Sequence, residues 1–222
     1  HNNGHAQAPR LRKLTAFTVS KPATCCQLRL KPLASIMAPM TWIGIVGTNG
    51  AGKSSVCDLL RPMGYAVLSL SDEVRAEASR RGRPWDRDSL TQTGSELKAE
   101  KGHAVLAIMA VEKARQMGSD NVVFDSIRHP DELAHLKKNG VYLIGVTASP
   151  EVRYARIQSR GKETDRVDFP TFVSQDAREF EGTSTGQHIA ACLAACDIVL
   201  DNSGSPEDLK RALENVLQRR PA

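Results

Sequence analysis

The residues with the most chemistry to offer stand together at 47–54, where the chain reads Gly47-Thr48-Asn49-Gly50-Ala51-Gly52-Lys53-Ser54. Glycines at 47, 50 and 52 let the backbone turn so that successive N–H groups point inward, a geometry that binds an anion. A helix starting at Lys53 would add its own free N–H groups and its positive dipole end. In a G-x-x-x-x-G-K-S loop the lysine, here Lys53, reaches the β- and γ-phosphates of a nucleoside triphosphate, and the hydroxyl, here Ser54, ligates Mg²⁺. The apolar run 42–46 just before it has the β-branched members of a buried parallel strand. Strand before, helix after and a complete motif distinguish this P-loop from a bare glycine-rich turn.

Further candidates follow other apolar runs. Asp125 ends the run 121–125, where proteins with such a loop place a carboxylate on Mg²⁺ or its waters; a helix N-cap or turn residue is the plainer reading of the same position. Arg128 is placed to meet an anion or to sit as an ordinary surface arginine. Asp72 and Arg75 share the first turn of an expected helix. They could hold an acceptor, the arginine on a phosphate and the carboxylate on a hydroxyl or base, or form a simple i,i+3 pair. Arg153, Arg156 and Arg160 are spaced to share one helical face, and Arg166 follows in the charged segment RGKETDRVD at 160–168. A row of guanidiniums leading into a loop suits phosphoryl transfer, which needs fixed positive charge around the moving group, completed on closure. Glu163 and Asp165 could instead make that segment a solvated ion-pair loop.

The elements that must position these residues alternate. Strands are expected at 42–46, 66–70, 121–125, 141–148 and 197–202. Helices are expected at about 53–61, from Ser71, at 86–101 and 103–117 either side of Gly102, from Pro130 to Gly140, from Pro150, at about 170–180 and 187–195, and after Ser205. Apolar strands alternating with helices predict an α/β fold, a three-layer α/β/α sandwich around five parallel strands. Ligands of such sheets bind beyond the carboxyl ends of the strands. The P-loop, Asp72, the stretch from Asp125 to Arg128, and the stretch from Asn202 to Gly204 all fall there.

A chain of 222 residues fits one domain with a sizeable core, expected at 41–220 with a lid at about 160–168. Residues 1–40 hold six basic residues and no Asp or Glu, leaving 24 basic and 25 acidic residues elsewhere, so the formal +5 belongs wholly to this leader. The domain therefore offers no charge argument for nucleic acid, and none is expected as a partner. The basic, proline-punctuated leader reads equally as an organellar transit segment or as a disordered or non-native extension ahead of Met37 or Met40. Localisation is accordingly expected to be cytoplasmic, or the organellar matrix if the leader is a transit peptide. No apolar run approaches the ~18 residues that span a bilayer, so no membrane partner is expected. Five cysteines are an odd number. Cys25 and Cys26 lie in the leader, while Cys192 and Cys196 sit among alanines and a leucine on a helix, as core packing. Neither they nor the histidines have zinc-site spacing, which implies a reducing compartment and no structural metal.

The pieces GIVGTNGAGKSS, LSLSDEVRAEA, VVFDSIRHPDELAHLK, VTASPEVRYARIQSRG and CDIVLDNSGSPEDL, running from Thr41 to Leu217, resemble the nucleoside-monophosphate-kinase branch of P-loop proteins. Within it they are similar to dephospho-CoA kinases, phage-type deoxynucleoside monophosphate kinases and a group of archaeal-type nucleotide kinases. The resemblance implies that Gly47, Thr48, Asn49, Gly50, Ala51, Gly52, Lys53, Ser54 and Ser55 bind ATP phosphates, with Ser54 and Asp125 on Mg²⁺. It implies that Asp72, Arg75, Asp125 and Arg128 serve the acceptor, that Arg156, Arg160 and Arg166 are lid arginines, and that Asn202 and Gly204 border the adenine. The last piece is much like dephospho-CoA kinase. DSIRHPDEL is more like the archaeal-type group and the kinase-like domain attached to some deoxycytidylate deaminases, and VSQDAREFEG stands where a dephospho-CoA kinase has a glutamine-rich helix. No deaminase zinc motif occurs. The activity expected is ATP- and Mg²⁺-dependent transfer to a nucleoside monophosphate, with dephospho-CoA as the alternative acceptor and an ATP-binding regulatory switch as the alternative of another class. Oligomeric state is left open.

Overall fold

The computed structural model describes His1 and residues 41–161, 167–181 and 188–219. The chain divides into two units, His1–Ile36 and Met37–Ala222, and every element below belongs to the second. The expected leader, and Glu163, Asp165 and Arg166 of the expected lid, lie outside the described residues.

In chain order the elements are β1 (Thr41–Val46), α1 (Lys53–Leu60), a 3-10 turn (Arg61–Met63), β2 (Ala66–Ser69), α2 (Leu70–Arg80), α3 (Arg87–Lys101), α4 (Val105–Met117) and β3 (Asn121–Ile127). Then come α5 (Pro130–Lys138), β4 (Tyr142–Thr147), α6 (Pro150–Arg160), α7 (Phe169–Glu181), α8 (Ile189–Ala194), β5 (Ile198–Asp201) and α9 (Pro206–Arg219). The strands form one sheet in the order β2-β3-β1-β4-β5, with every pairing parallel.

The strand period of two builds the layers. Trp42, Val46, Val122, Phe124 and Leu143 point to one face, where they meet Val105, Ala110 and Val111 of α4, Leu136 of α5 and Cys192 of α8. Ile43, Ile45, Val123, Ile144 and Val146 point to the other, against Val56 and Leu60 of α1 and Leu209, Leu213 and Val216 of α9. Burying each large aliphatic side chain contributes about 1.5–3 kcal/mol, so a sheet apolar on both sides needs both helical layers. Gly44 keeps β1 close to its neighbours: a Cβ there would lie 2.5 Å from Leu143 Cδ2 and 2.9 Å from Ile127 Cδ1.

Two boundaries differ from the expected ones in ways that matter for the site. β2 ends at Ser69 and the buried Leu70 already opens α2, so the helix starts directly above the strand. β3 continues past Asp125 to Ile127 through a bulge: its register against β1 shifts between Gly44 and Val46, and Ser126 sits at φ 67. The bulge turns the polar pair Asp125–Ser126 toward the rim and returns Ile127 to the core, 1 % exposed. At the other divide, α4 starts at Val105 rather than 103, because Gly102 at φ 89 breaks the chain and Ala104 becomes the N-cap.

Candidate active site

The loop from Gly47 to Gly52 leaves the carboxyl end of β1 and feeds α1. A Cβ on Gly47 would stand 2.4 Å from the carbonyl oxygen of Val146, so the loop can lie this close to β4 only without a side chain. Gly52, the N-cap of α1, is at φ 100, and a Cβ there would meet Asn202 Nδ2 at 2.1 Å. Lys53 folds back over the loop, its Nζ donating to the carbonyls of Gly47 at 2.8 Å and Thr48 at 2.9 Å. Thr48 and Ala51 are buried, whereas Asn49, Ser54 and Ser55 are exposed.

Behind the loop stands Asn202, buried at the end of β5. Its Nδ2 donates to the Ala51 carbonyl at 2.8 Å, and its own carbonyl accepts from Arg156 Nη2 at 2.8 Å. The Asn202 side chain thus braces the loop. Gly204 lies in the exposed turn before α9, where Ser205 and Asp208 cap the helix reciprocally at 3.2 Å.

The arginines of α6 part company. Arg153 is buried, not turned to the loop's mouth. It pairs with Asp176 of α7, Nη2 to Oδ2 at 2.7 Å, and lies over the Phe172 ring at 5.5 Å, while its Nε donates to the Ala148 carbonyl at 3.0 Å. Of the row expected on one face, Arg153 is therefore a structural member, drawn inward by a carboxylate that only the fold brings near. Arg156 and Arg160 do reach the loop. Together with Asn49, Gly52, Lys53 and Ser55 they line a cavity of ≈ 320 Å³. Arg160 Nη2 donates to Asn49 Oδ1 at 3.3 Å. Arg156 Nη1 is buried without a hydrogen-bond partner among the described residues, although an unpaired buried donor is costly. A phosphate oxygen in the loop is the partner that its position implies.

Beside this cradle, Ser54, Asp125, Asp72 and Ser69 share a smaller cavity of ≈ 160 Å³. Ser69 is the register partner of Asp125 across β2 and β3. Asp125 Oδ1 is buried without a partner among the described residues, while Oδ2 accepts from Ser126 Oγ at 3.3 Å. Two hydroxyls and two carboxylates, one of them with an unpartnered oxygen, are hard oxygen donors, and they fit Mg²⁺. Cys57 also lines the cavity, but burial, and after it the Asp125 charge, push its thiol up to about 12. It stays a neutral wall and not a ligand.

A third cavity, a cleft of ≈ 940 Å³, opens between α2, α3, the start of α4 and the end of β3, bordered by Arg75, Arg87, Lys98, His103, Ser126 and Arg128. Two contacts form its seam with the smaller cavity. Asp72 borders the smaller space and Arg75 the larger, and they are joined at 2.5 Å. Ser69 and Ser126 likewise border one space each, with their hydroxyls 3.0 Å apart. Asp72 and Arg75, expected to work side by side, thus face different cavities. The wall supplied by α3 was missed from sequence. Its signal was the recurrence Arg87, Thr91, Ser95, Lys98 at helical spacing, a polar stripe with nothing to say which cavity it faces.

With this geometry in view, comparison with known proteins is informative. The family model described as an AAA domain matches residues 43–182. A UPF0200 protein of Methanocaldococcus jannaschii is 31% identical over 182 residues, covering 81% of this chain and 90% of its own length. The crystal structure of TT1252 from Thermus thermophilus shares 25% identity at a TM-score of 0.55, over 82% of this chain and 98% of its own. A shikimate kinase from Bacteroides thetaiotaomicron, 14% identical with a TM-score of 0.54 over 81% of this chain and 99% of its own, shows the same fold. At this identity and coverage the chain belongs to the UPF0200 family, and its fold is that of a P-loop kinase.

Proposed function

We propose that this protein transfers the γ-phosphoryl group of ATP, with Mg²⁺, to a small nucleotide, in the first instance a nucleoside monophosphate. The observation that carries this reading is the seam, where Asp72 on the metal side and Arg75 on the acceptor side meet at 2.5 Å. Transfer between two bound anions requires donor and acceptor sites that adjoin, so that the reacting atoms come within about 3–3.5 Å. A charged pair at the junction can guide both.

The loop N–H groups and Lys53 would hold the β- and γ-phosphates. Arg156 Nη1, already buried and aimed, would donate to an oxygen of the moving group, where the transition state spreads its charge. A donor fixed in advance costs no reorganisation at the moment of reaction. Ser54 and Asp125, with Asp72 nearby, would hold Mg²⁺, which would supply positive charge against the phosphate oxygens. Arg75 would exchange Asp72 for the acceptor phosphate, with Arg128 as a second anchor. An oxygen of the acceptor phosphate forms the new bond to the γ-phosphorus as the bond to the ADP oxygen breaks, and ADP leaves with that electron pair. A phosphate nucleophile is already anionic and needs no base.

The cleft, at ≈ 940 Å³, is at the upper end of small-molecule sites, which favours dephospho-CoA as a second acceptor reading. Its hydroxyl would need a base, and Asp72 at the seam is the candidate. ADP release from ATP·Mg²⁺, with each nucleoside monophosphate and dephospho-CoA added in turn, separates the readings. Acceptor-stimulated release that Lys53→Ala reduces roughly 10²–10³-fold supports a kinase. Slow release indifferent to every acceptor would sink it in favour of an ATP-dependent switch.

A further inference from the structure

The wall of the ≈ 940 Å³ cleft carries an aromatic feature that phosphate chemistry leaves unused. His103, exposed in the turn between α3 and α4, borders the cleft. Its ring stacks on that of His129, with centroids 4.3 Å apart and planes 8° from parallel. His129 lies behind His103 and is held from several sides. Its Nδ1 accepts from Asp131 N at 3.1 Å, its own N–H donates to Glu132 Oε2 at 3.1 Å, and its ring meets that of His188 edge-on at 5.3 Å. Burial, and after it the neighbouring His103, lower the proton affinity of His129, which favours a neutral ring behind the stack.

One face of the His103 ring is therefore covered by a fixed partner, and the other is left for the cleft. The ring thus presents a flat π-face with a rigid backing. It is well matched to a planar base, since every nucleobase has a π-face of its own. The same cleft supplies the complement for the other end of a nucleotide: Arg75 at the seam, and Arg87 and Arg128, neither of them ion-paired among the described residues. We propose that the outer face of His103 is the platform on which the nucleobase of the acceptor stacks, with His129 and His188 as its backing. This rests on the reading of the cleft as the acceptor site, and it makes His103 a positioning residue for a base-bearing acceptor.

Equilibrium binding of two fluorescent probes, 2-aminopurine riboside monophosphate and pyrrolocytidine monophosphate, tests the platform without turnover, because stacking quenches both. Ribose 5-phosphate, which has the phosphate and no base, is the control. For wild-type protein at least one probe should bind with quenching. His103→Ala should weaken that probe roughly ten-fold and relieve the quench, while ribose 5-phosphate and ATP bind as before and His103→Phe restores the probe. Equal losses for probe and ribose 5-phosphate would overturn the proposal, since His103 would then merely support the cleft. So would undiminished probe binding in His103→Ala. If neither probe binds wild-type protein and no nucleoside monophosphate stimulates ADP release, the acceptor reading itself falls and the platform with it.

Discussion

Arg153, Arg156 and Arg160 leave the same two turns of α6 and reach different environments, so their substitution should have different consequences. Arg153 and Asp176 are both largely buried, at 7 % and 15 % side-chain exposure. Removing one partner of such a pair strands the other charge, at a cost of about 3–5 kcal/mol. Arg153→Ala should therefore lower the urea midpoint sharply, and a midpoint close to wild type would refute its structural role. Among the described residues the Arg156 guanidinium has one hydrogen bond, from Nη2 to the Asn202 carbonyl, worth about 1 kcal/mol. Arg156→Ala should cost stability only on that scale yet reduce acceptor-stimulated turnover roughly 10²–10³-fold. Asp125 can be tested against its plainer reading in the same way. Because Oδ1 is buried without a partner among the described residues, Asp125→Asn removes a charge that these residues do not satisfy. In the absence of metal this variant should unfold at the wild-type urea concentration or above it, and it should lose the rise in melting temperature that Mg²⁺ with ATP gives the parent. A lower midpoint in metal-free buffer would show a carboxylate kept for capping or packing.

Helices α2 and α3 form two walls of the ≈ 940 Å³ cleft, and one carboxylate organises the contact between them. Glu77 accepts from Arg80 at 2.6 and 2.7 Å and from Arg81 at 2.6 Å, and Arg81 continues to Glu96 and Glu100 of α3, each at 2.9 Å. Hydrogen bonds from Arg80 hold the Glu77 carboxyl down to about 2, against burial that would raise it and with further help from Arg81. The unfolded chain, with Glu77 at its ordinary 4.5, takes up the proton more readily. The contribution of this clamp is thus complete above pH 4.5 or so and is lost as pH falls toward about 2. Glu77→Gln should be less stable than wild type at neutral pH, and the gap should close across that window. A gap independent of pH would remove Glu77 from the linkage. The clamp also marks the limit of what the sequence discloses. Runs such as Trp42–Val46 and Val122–Phe124 are apolar on both strand faces, and the glycine spacing at 47–52 has few alternatives, so sheet, layers and P-loop were legible. Ser126 at φ 67 was not, because its conformation follows from a register shift against β1. Nor was the Arg153–Asp176 pair, whose members are 23 residues apart on different helices. Each depends on contacts made only once the chain has folded.

The proposed donor cradle hangs from β1, α1 and α6, and the proposed acceptor cleft from α2, α3 and β3. The central sheet fixes both to one frame through the adjacent strands β2, β3 and β1. Two sites held at a set separation behave toward a tethered pair of ligands as one site. The second binding step becomes intramolecular, which can raise affinity by roughly 10²–10⁴ when the tether spans the gap and not at all when it cannot. Two nucleosides joined through a chain of phosphates should accordingly bind more tightly than ATP, with a clear optimum in chain length as the series is extended one phosphate at a time. At the optimum the compound should compete with both ATP and the acceptor. At 100 times its dissociation constant it should stabilise the fold by about 2.7 kcal/mol, visible as a rise in melting temperature. Arg75, on the acceptor side of the seam, supplies the internal control. Arg75→Ala should bring the best tethered compound back toward the affinity of ATP while leaving ATP itself unaffected, because the loop, Lys53, Arg156 and Arg160 are untouched. Affinity that ignores chain length, or inhibition competitive with ATP alone, would mean that the two cavities do not act on one reaction, and would leave the protein a nucleotide-binding module with an unrelated cleft beside it.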